Sequence, residues 1–142
     1  MIQRVQTLYL FLGALVLAGM GIFDMPWGSN AAAAYGWYTP SLIGLIAVTA
    51  GGALWSIFLF EDRERQRQFV VGTQVLTVLL AGVMYGGLYL VGGLTLEGSR
   101  GAISWWRTAA LAMPLLGYLL FYLARRGIDH DIELVKSMDR LR

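Results

Sequence analysis

Charge is missing from this chain over four long intervals. Arg4 and Asp24 are separated by 19 uncharged residues, Asp24 and Glu61 by 36, Arg67 and Glu97 by 29, and Arg107 and Arg125 by 17. A helix crosses a bilayer with about 20 mostly apolar residues. In hydrocarbon every backbone polar group must be satisfied within the segment, which a helix does unaided. The pattern therefore predicts an all-α membrane protein, a four-helix transmembrane bundle with spans at about 5–23, 40–60, 69–93 and 105–124.

The punctuation between the runs refines this. Asp24, Pro26 and Gly28 end the first span, and a loop with Trp27, Tyr35, Trp37 and Tyr38 follows. Such rings favour the membrane–water boundary. Pro40 suits the first turn of the second helix, where its missing N–H costs nothing. The densely charged 61–68 segment reads as a solvated turn. Trp105 and Trp106 mark a second boundary, and Pro114 leaves the carbonyl of Ala110 without its helical partner, which predicts a kink. Arg4, the apolar run and the alanines at 31–34 also resemble a secretory signal. The apolar core is too long and the alanines lie too far beyond it, so the segment is read as a retained span.

Arg125 and Arg126 stop the fourth span. Gly127 is placed to cap it and Asp129 to begin a new helix. In that tail, 127–142, Ile128, Ile132, Val135, Met138 and Leu141 form one apolar stripe. Acidic residues at its start and basic ones at its end favour a helix through the dipole. An amphipathic helix of this kind lies on lipid or against a protein neighbour.

Four spans put the termini and the central turn on one side. That side carries Arg4, Arg63, Arg65, Arg67, Arg125, Arg126, Lys136, Arg140 and Arg142, nine basic residues against Arg100 and Arg107 on the other. The excess predicts that both termini are cytoplasmic. With 57% apolar and 14% charged residues, the chain falls well below the charge content of about 25% of a soluble domain. A net charge of +2 gives no reason to expect nucleic acid as a partner. One integral domain fills the whole of 1–142.

The candidate chemistry is sparse. There is no cysteine, hence no disulfide or thiol nucleophile. His130 is the single histidine and reads as a solvated tail residue, so no haem, zinc or other cofactor site is expected. No Asp, Glu, Lys, Arg or His falls inside a predicted span. Ion-coupled carriers usually keep such a group there. Gln74, with Thr73 and Thr77, can form an interhelical hydrogen bond, and Ser41, Thr49 and Ser56 can bond back to their own helix. Gly82/Gly86, Ala14/Ala18 and Ala47/Gly51 are small-residue pairs at four-residue spacing. Such seams let helices approach closely, either within the bundle or against another membrane chain.

The first ten residues, MIQRVQTLYL, and the last twelve, DIELVKSMDRLR, resemble a family of bacterial four-span membrane proteins known only as a domain of unknown function. The resemblance implies a bacterial inner-membrane location and supplies no activity. It also implies that Gln3, Arg4 and Gln6 meet the 133–142 segment; with both termini on one side, the residues themselves offer Asp139 or Glu133 as a partner for Arg4.

The sequence thus points to a non-catalytic accessory or scaffolding subunit of an inner-membrane complex. It would associate with lipid and with other membrane subunits, or with itself, through the Gly82/Gly86, Ala14/Ala18 and Ala47/Gly51 seams and the 128–142 tail. The alternative is a small dimeric carrier or channel for a neutral or hydrophobic solute, signalled by a polar midplane cavity near Thr49, Ser56 or Thr77. A lipid-directed enzyme using Glu97 and Arg100 is the weakest reading, because two loop charges make a poor active site. No catalytic, cofactor-binding or metal-binding residue is assigned.

Overall fold

The computed structural model describes residues 2–59, 61–97 and 101–139. Its helices are α1 (Ile2–Gly19, continued by a 3-10 turn at Met20–Ile22), α2 (Asp24–Trp27), α3 (Asn30–Ala34), α4 (Tyr38–Phe58), α5 (Arg63–Leu90) and α6 (Trp105–Asp139). Among the described residues there is no β-strand beyond an isolated bridge between Glu97 and Ile103. Four of the helices (α1 with its 3-10 turn, α4, α5 and α6) are long and apolar enough to cross a membrane.

These four form a ring in which α1 packs on α4 and α6, and α5 packs on α4 and α6. Neighbours run antiparallel. Phe121 lies against Gly13, Leu17 against Gly117 and Met113 near Gly19, so the start of α1 lies beside the end of α6. The chain ends therefore share one end of the bundle, called here the terminal end. The connection 23–37 and, among the described residues, 91–97 and 101–104 share the far end.

The core is a stack of layers. Leu10, Ala14 and Leu17 of α1, Leu42 and Ala53 of α4, Val70, Leu80 and Met84 of α5, and Phe121, Ala124 and Ile128 of α6 are all buried. The outward faces are equally apolar: Leu15, Val48, Trp55, Val75, Leu115 and Leu119 are exposed. Helices that are hydrophobic all round belong in lipid or in a large core.

The ends of the elements follow from local chemistry. Ser29 caps α3 by accepting from the Ala32 amide at 3.3 Å. Helix α4 begins at Tyr38, two residues before Pro40, with the Tyr38 amide bonded to the Tyr35 carbonyl at 3.0 Å. Helix α5 closes at the far end with Gly92 at φ +66°, and the Gly93 and Gly92 amides return to the Leu88 and Tyr89 carbonyls. That is the paired 6→1 and 5→2 arrangement of a left-handed helix stop, and it needs a glycine.

Two segments differ from the sequence expectation. The 61–68 segment is not a turn throughout. Asp62 accepts from the Arg65 amide at 3.1 Å and caps α5, which starts at Arg63. Arg, Glu and Gln are good helix formers, so the charged run becomes the first two turns of α5. At the other end of the chain, Gly127 is not a cap and Asp129 does not begin a new helix. Helix α6 runs unbroken through both, and through Pro114, for 35 residues. A Cβ at Gly127 would lie 2.8 Å from Gln6 Cγ, so the glycine serves close packing of α6 on α1.

Candidate functional site

Polar groups concentrate at three places. The first is a lock at the terminal end. Gln6 is buried on α1, and its Nε2 donates to Asp131 Oδ2 of α6 at 2.8 Å. Arg63 Nη1 of α5 donates to Gln6 Oε1 at 3.2 Å and lies 3.3 Å from the same Asp131 oxygen. Three side chains from three helices thus close a triangle, with Arg63 and Asp131 only 20% and 15% exposed. At that burial the pair is shielded from solvent, and leaving either charge unpaired is costly. A second rung lies beside it. Asp129 accepts from Arg67 of α5 and pairs with Arg125 at 3.5 Å, while Arg125 Nη1 donates to Gln74 Oε1 at 3.4 Å. Lys136 and Glu64 form an exposed outer pair at 3.6 Å that contributes little.

Gln6 therefore meets α6 at Gly127 and Asp131, half a turn short of the 133–142 segment expected from the resemblance. The Arg4–Asp139 pairing, and the side chain of Gln3, lie outside the described side chains. The tail stripe is partly used: Ile128 is buried and Ile132 packs on the core, while Val135 and Met138 are exposed. His130 is exposed.

The second place is the α4–α5 seam. Ser56 donates to the Ala53 carbonyl, Thr73 to Val70 and Thr77 to Thr73, at 2.7–2.8 Å, each within its own helix. The Thr49 hydroxyl and the Gln74 Nε2 are buried with no hydrogen-bond partner among the described residues. Gln66 Oε1 is in the same state.

The third is a cavity of about 660 Å³ at the far end. Ile22, Phe23, Asp24, Met25, Ser29 and Asn30 line it from the first connection. Leu88 near the end of α5 and Gly92, Gly93 and Thr95 beyond it also line the cavity, with Ser104 just before α6 and Trp106 and Arg107 in its first turn. Trp106 meets Phe23 edge-on at 5.3 Å between ring centroids. Arg107 Nη1 donates to Thr95 Oγ1 at 3.1 Å. Among the described residues, no group of three or more His, Asp or Glu side chains gathers. Glu97 is exposed, and Arg100 lies outside the described residues.

The small-residue pairs divide between inside and outside. Gly82, Gly86 and Gly51 face outward, with nothing within 4 Å of where a Cβ would sit. Ala47 and Ala18 are also exposed, whereas Ala14 is in the core. Close packing inside the bundle is carried by other glycines: Gly13 under Phe121, Gly87 under Tyr38, Gly117 against Leu17 and Gly127 against Gln6. Sequence reasoning picked out the spaced pairs because the spacing is visible, and missed these four because their partners are distant in the chain.

A ring of four antiparallel helices, apolar on both faces and polar only at its ends and along one seam, is the class of architecture present. The chain belongs to the family described as a domain of unknown function (DUF4293), which it matches over residues 34–141. The match takes in nearly all of the terminal DIELVKSMDRLR segment and begins after the MIQRVQTLYL segment. No curated protein and no solved structure matches the chain.

Proposed function

We propose that the protein is a non-catalytic integral protein of the bacterial inner membrane, with both termini in the cytoplasm, that serves as an accessory or scaffolding subunit. It docks to other membrane helices through the outward faces of α4 and α5. One observation carries the reading: Gly82 and Gly86 on α5, and Ala47 and Gly51 on α4, expose close-approach surfaces that the bundle itself leaves uncovered. In lipid, helix association depends on close backbone approach rather than on a hydrophobic drive, so such faces are where a second chain gains most. The basic excess at the terminal end supports the cytoplasmic placement of both termini, and the exposed Val135 and Met138 offer the 128–142 extension of α6 as a second contact.

The dimeric carrier reading draws on the unpartnered Thr49 hydroxyl. Weighing against it, Ser56, Thr73 and Thr77 are all bonded within their own helices.

Mild-detergent purification of the tagged wild type, Gly82→Ile, Gly86→Ile and the lipid-facing control Leu119→Ile tests the proposal. The wild type and the control should retain the same associated membrane chain, and the two glycine variants should lose it. An unchanged set of partners in all four, or a wild type that purifies alone as a monomer, overturns the subunit reading. Flux of a neutral solute through liposomes holding the pure protein would favour the carrier.

A further inference from the structure

The far-end cavity places one anion and one cation in the same chamber, and neither forms an ion pair among the described residues. We propose that it binds a phosphoethanolamine group, a phosphate joined to a primary amine, with the phosphate at Arg107 and the ammonium at Asp24.

Each half of the ligand has a matching wall. Arg107 lies in the first turn of α6, with Ser104 and Trp106 beside it on the cavity wall. The guanidinium is a planar donor suited to phosphate oxygens. The opening turn of a long helix adds unpaired amides and the positive end of its dipole. Asp24, the first residue of α2, lines the same chamber and supplies a carboxylate. The indole of Trp106, held edge-on by Phe23, offers an aromatic face to a cation. Asn30 and Ser104 add further polar side chains to the wall. Size and position agree: about 660 Å³ falls within the range of about 300–1,000 Å³ for small-molecule pockets. Apolar Ile22, Met25 and Leu88 also line the chamber and would receive the glycerol and first acyl carbons of a lipid.

The same group occurs on a phospholipid and as free glycerophosphoethanolamine, and the experiment separates them. Purified full-length protein in detergent micelles is titrated with short-chain phosphatidylethanolamine or phosphatidylglycerol, and bound lipid is counted by native mass spectrometry. Wild type should bind the ethanolamine lipid about tenfold more tightly, the effect of one charge-assisted contact. Asp24→Asn should abolish the preference by weakening only the ethanolamine lipid, while Arg107→Gln should weaken both lipids. Asp24→Glu and Arg107→Lys keep the charges and should keep the preference. Circular dichroism and gel filtration establish that each variant is folded. Displacement of the lipid by millimolar free glycerophosphoethanolamine assigns the free compound as a ligand, and its failure assigns the lipid. Equal binding of the two lipids by wild type, or loss of the preference in Asp24→Glu as complete as in Asp24→Asn, overturns the proposal. Gly82→Ile and Gly86→Ile should leave lipid preference intact, so this site stands or falls separately from the docking faces.

Discussion

Gly86 and Gly87 are chain neighbours with opposite surroundings. A Cβ at Gly86 would meet nothing within 4 Å, whereas one at Gly87 would run into the Tyr38 ring, which is fully buried and whose hydroxyl donates to the Met84 carbonyl at 3.4 Å. The ring has no room to retreat, so Gly87→Ala should destabilise the bundle by about 1–3 kcal/mol, the usual cost of overpacking. Gly86→Ala should change stability by less than about 0.5 kcal/mol either way, as surface changes do. Thermal unfolding in detergent, followed by circular dichroism, checks both. If the two alanine variants melt together, the placement of Tyr38 is wrong. Gln6 makes a similar case in polar form. Gln6→Leu removes both bonds of the lock and, among the described residues, leaves Arg63 and Asp131 only each other. The expected loss is about 1–3 kcal/mol, with faster amide exchange confined to the last turns of α6. Protection there equal to wild type would count against the lock.

At the scale of elements, α5 and α6 carry the terminal end together. Asp62 fixes where α5 begins, so Asp62→Ala should cost about 1 kcal/mol and fray the turn carrying Arg63. Hydrogen exchange at 63–66 reads this directly, and unchanged protection would contradict the cap. Four long helices were legible in the sequence because charge-free intervals record the thickness of hydrocarbon. The ends of these helices were less so. Asp62 ahead of a run of Arg, Glu and Gln did carry a start signal, but density of charge was read as solvation instead. Gly127 carried no usable signal. A glycine after two arginines reads as a cap, and its actual reason lies on Gln6, at the opposite end of the chain. Asp129 likewise looks like a cap until Arg67, more than sixty positions away, is seen beside it.

For the whole molecule, the wall of the far-end cavity comes from three separate stretches of chain, 22–30, 88–95 and 104–107, none of which has a motif of its own. Composition could not have found it. The side of the membrane is testable because the chain has no native cysteine. His130→Cys at the terminal end should react with an impermeant maleimide only after the cells are opened, and Ile103→Cys at the far end should react in intact, outer-membrane-permeabilised cells. Both residues are exposed. The reverse pattern would invert the cytoplasmic assignment.

One consequence of the divided glycines concerns length. An α-helix turns by about 100° for each residue. Removing or adding one residue between Gln74 and Gly86 would swing everything beyond it by that angle. Removing one residue would turn Gly87, the notch that receives Tyr38, to the outward position of Gly86 and bring Leu88 under the Tyr38 ring. The rotational phase of α5 is thus shared by two surfaces that never touch, and no single substitution can correct it. Changes in chain length are better absorbed in the connections between helices than inside α5.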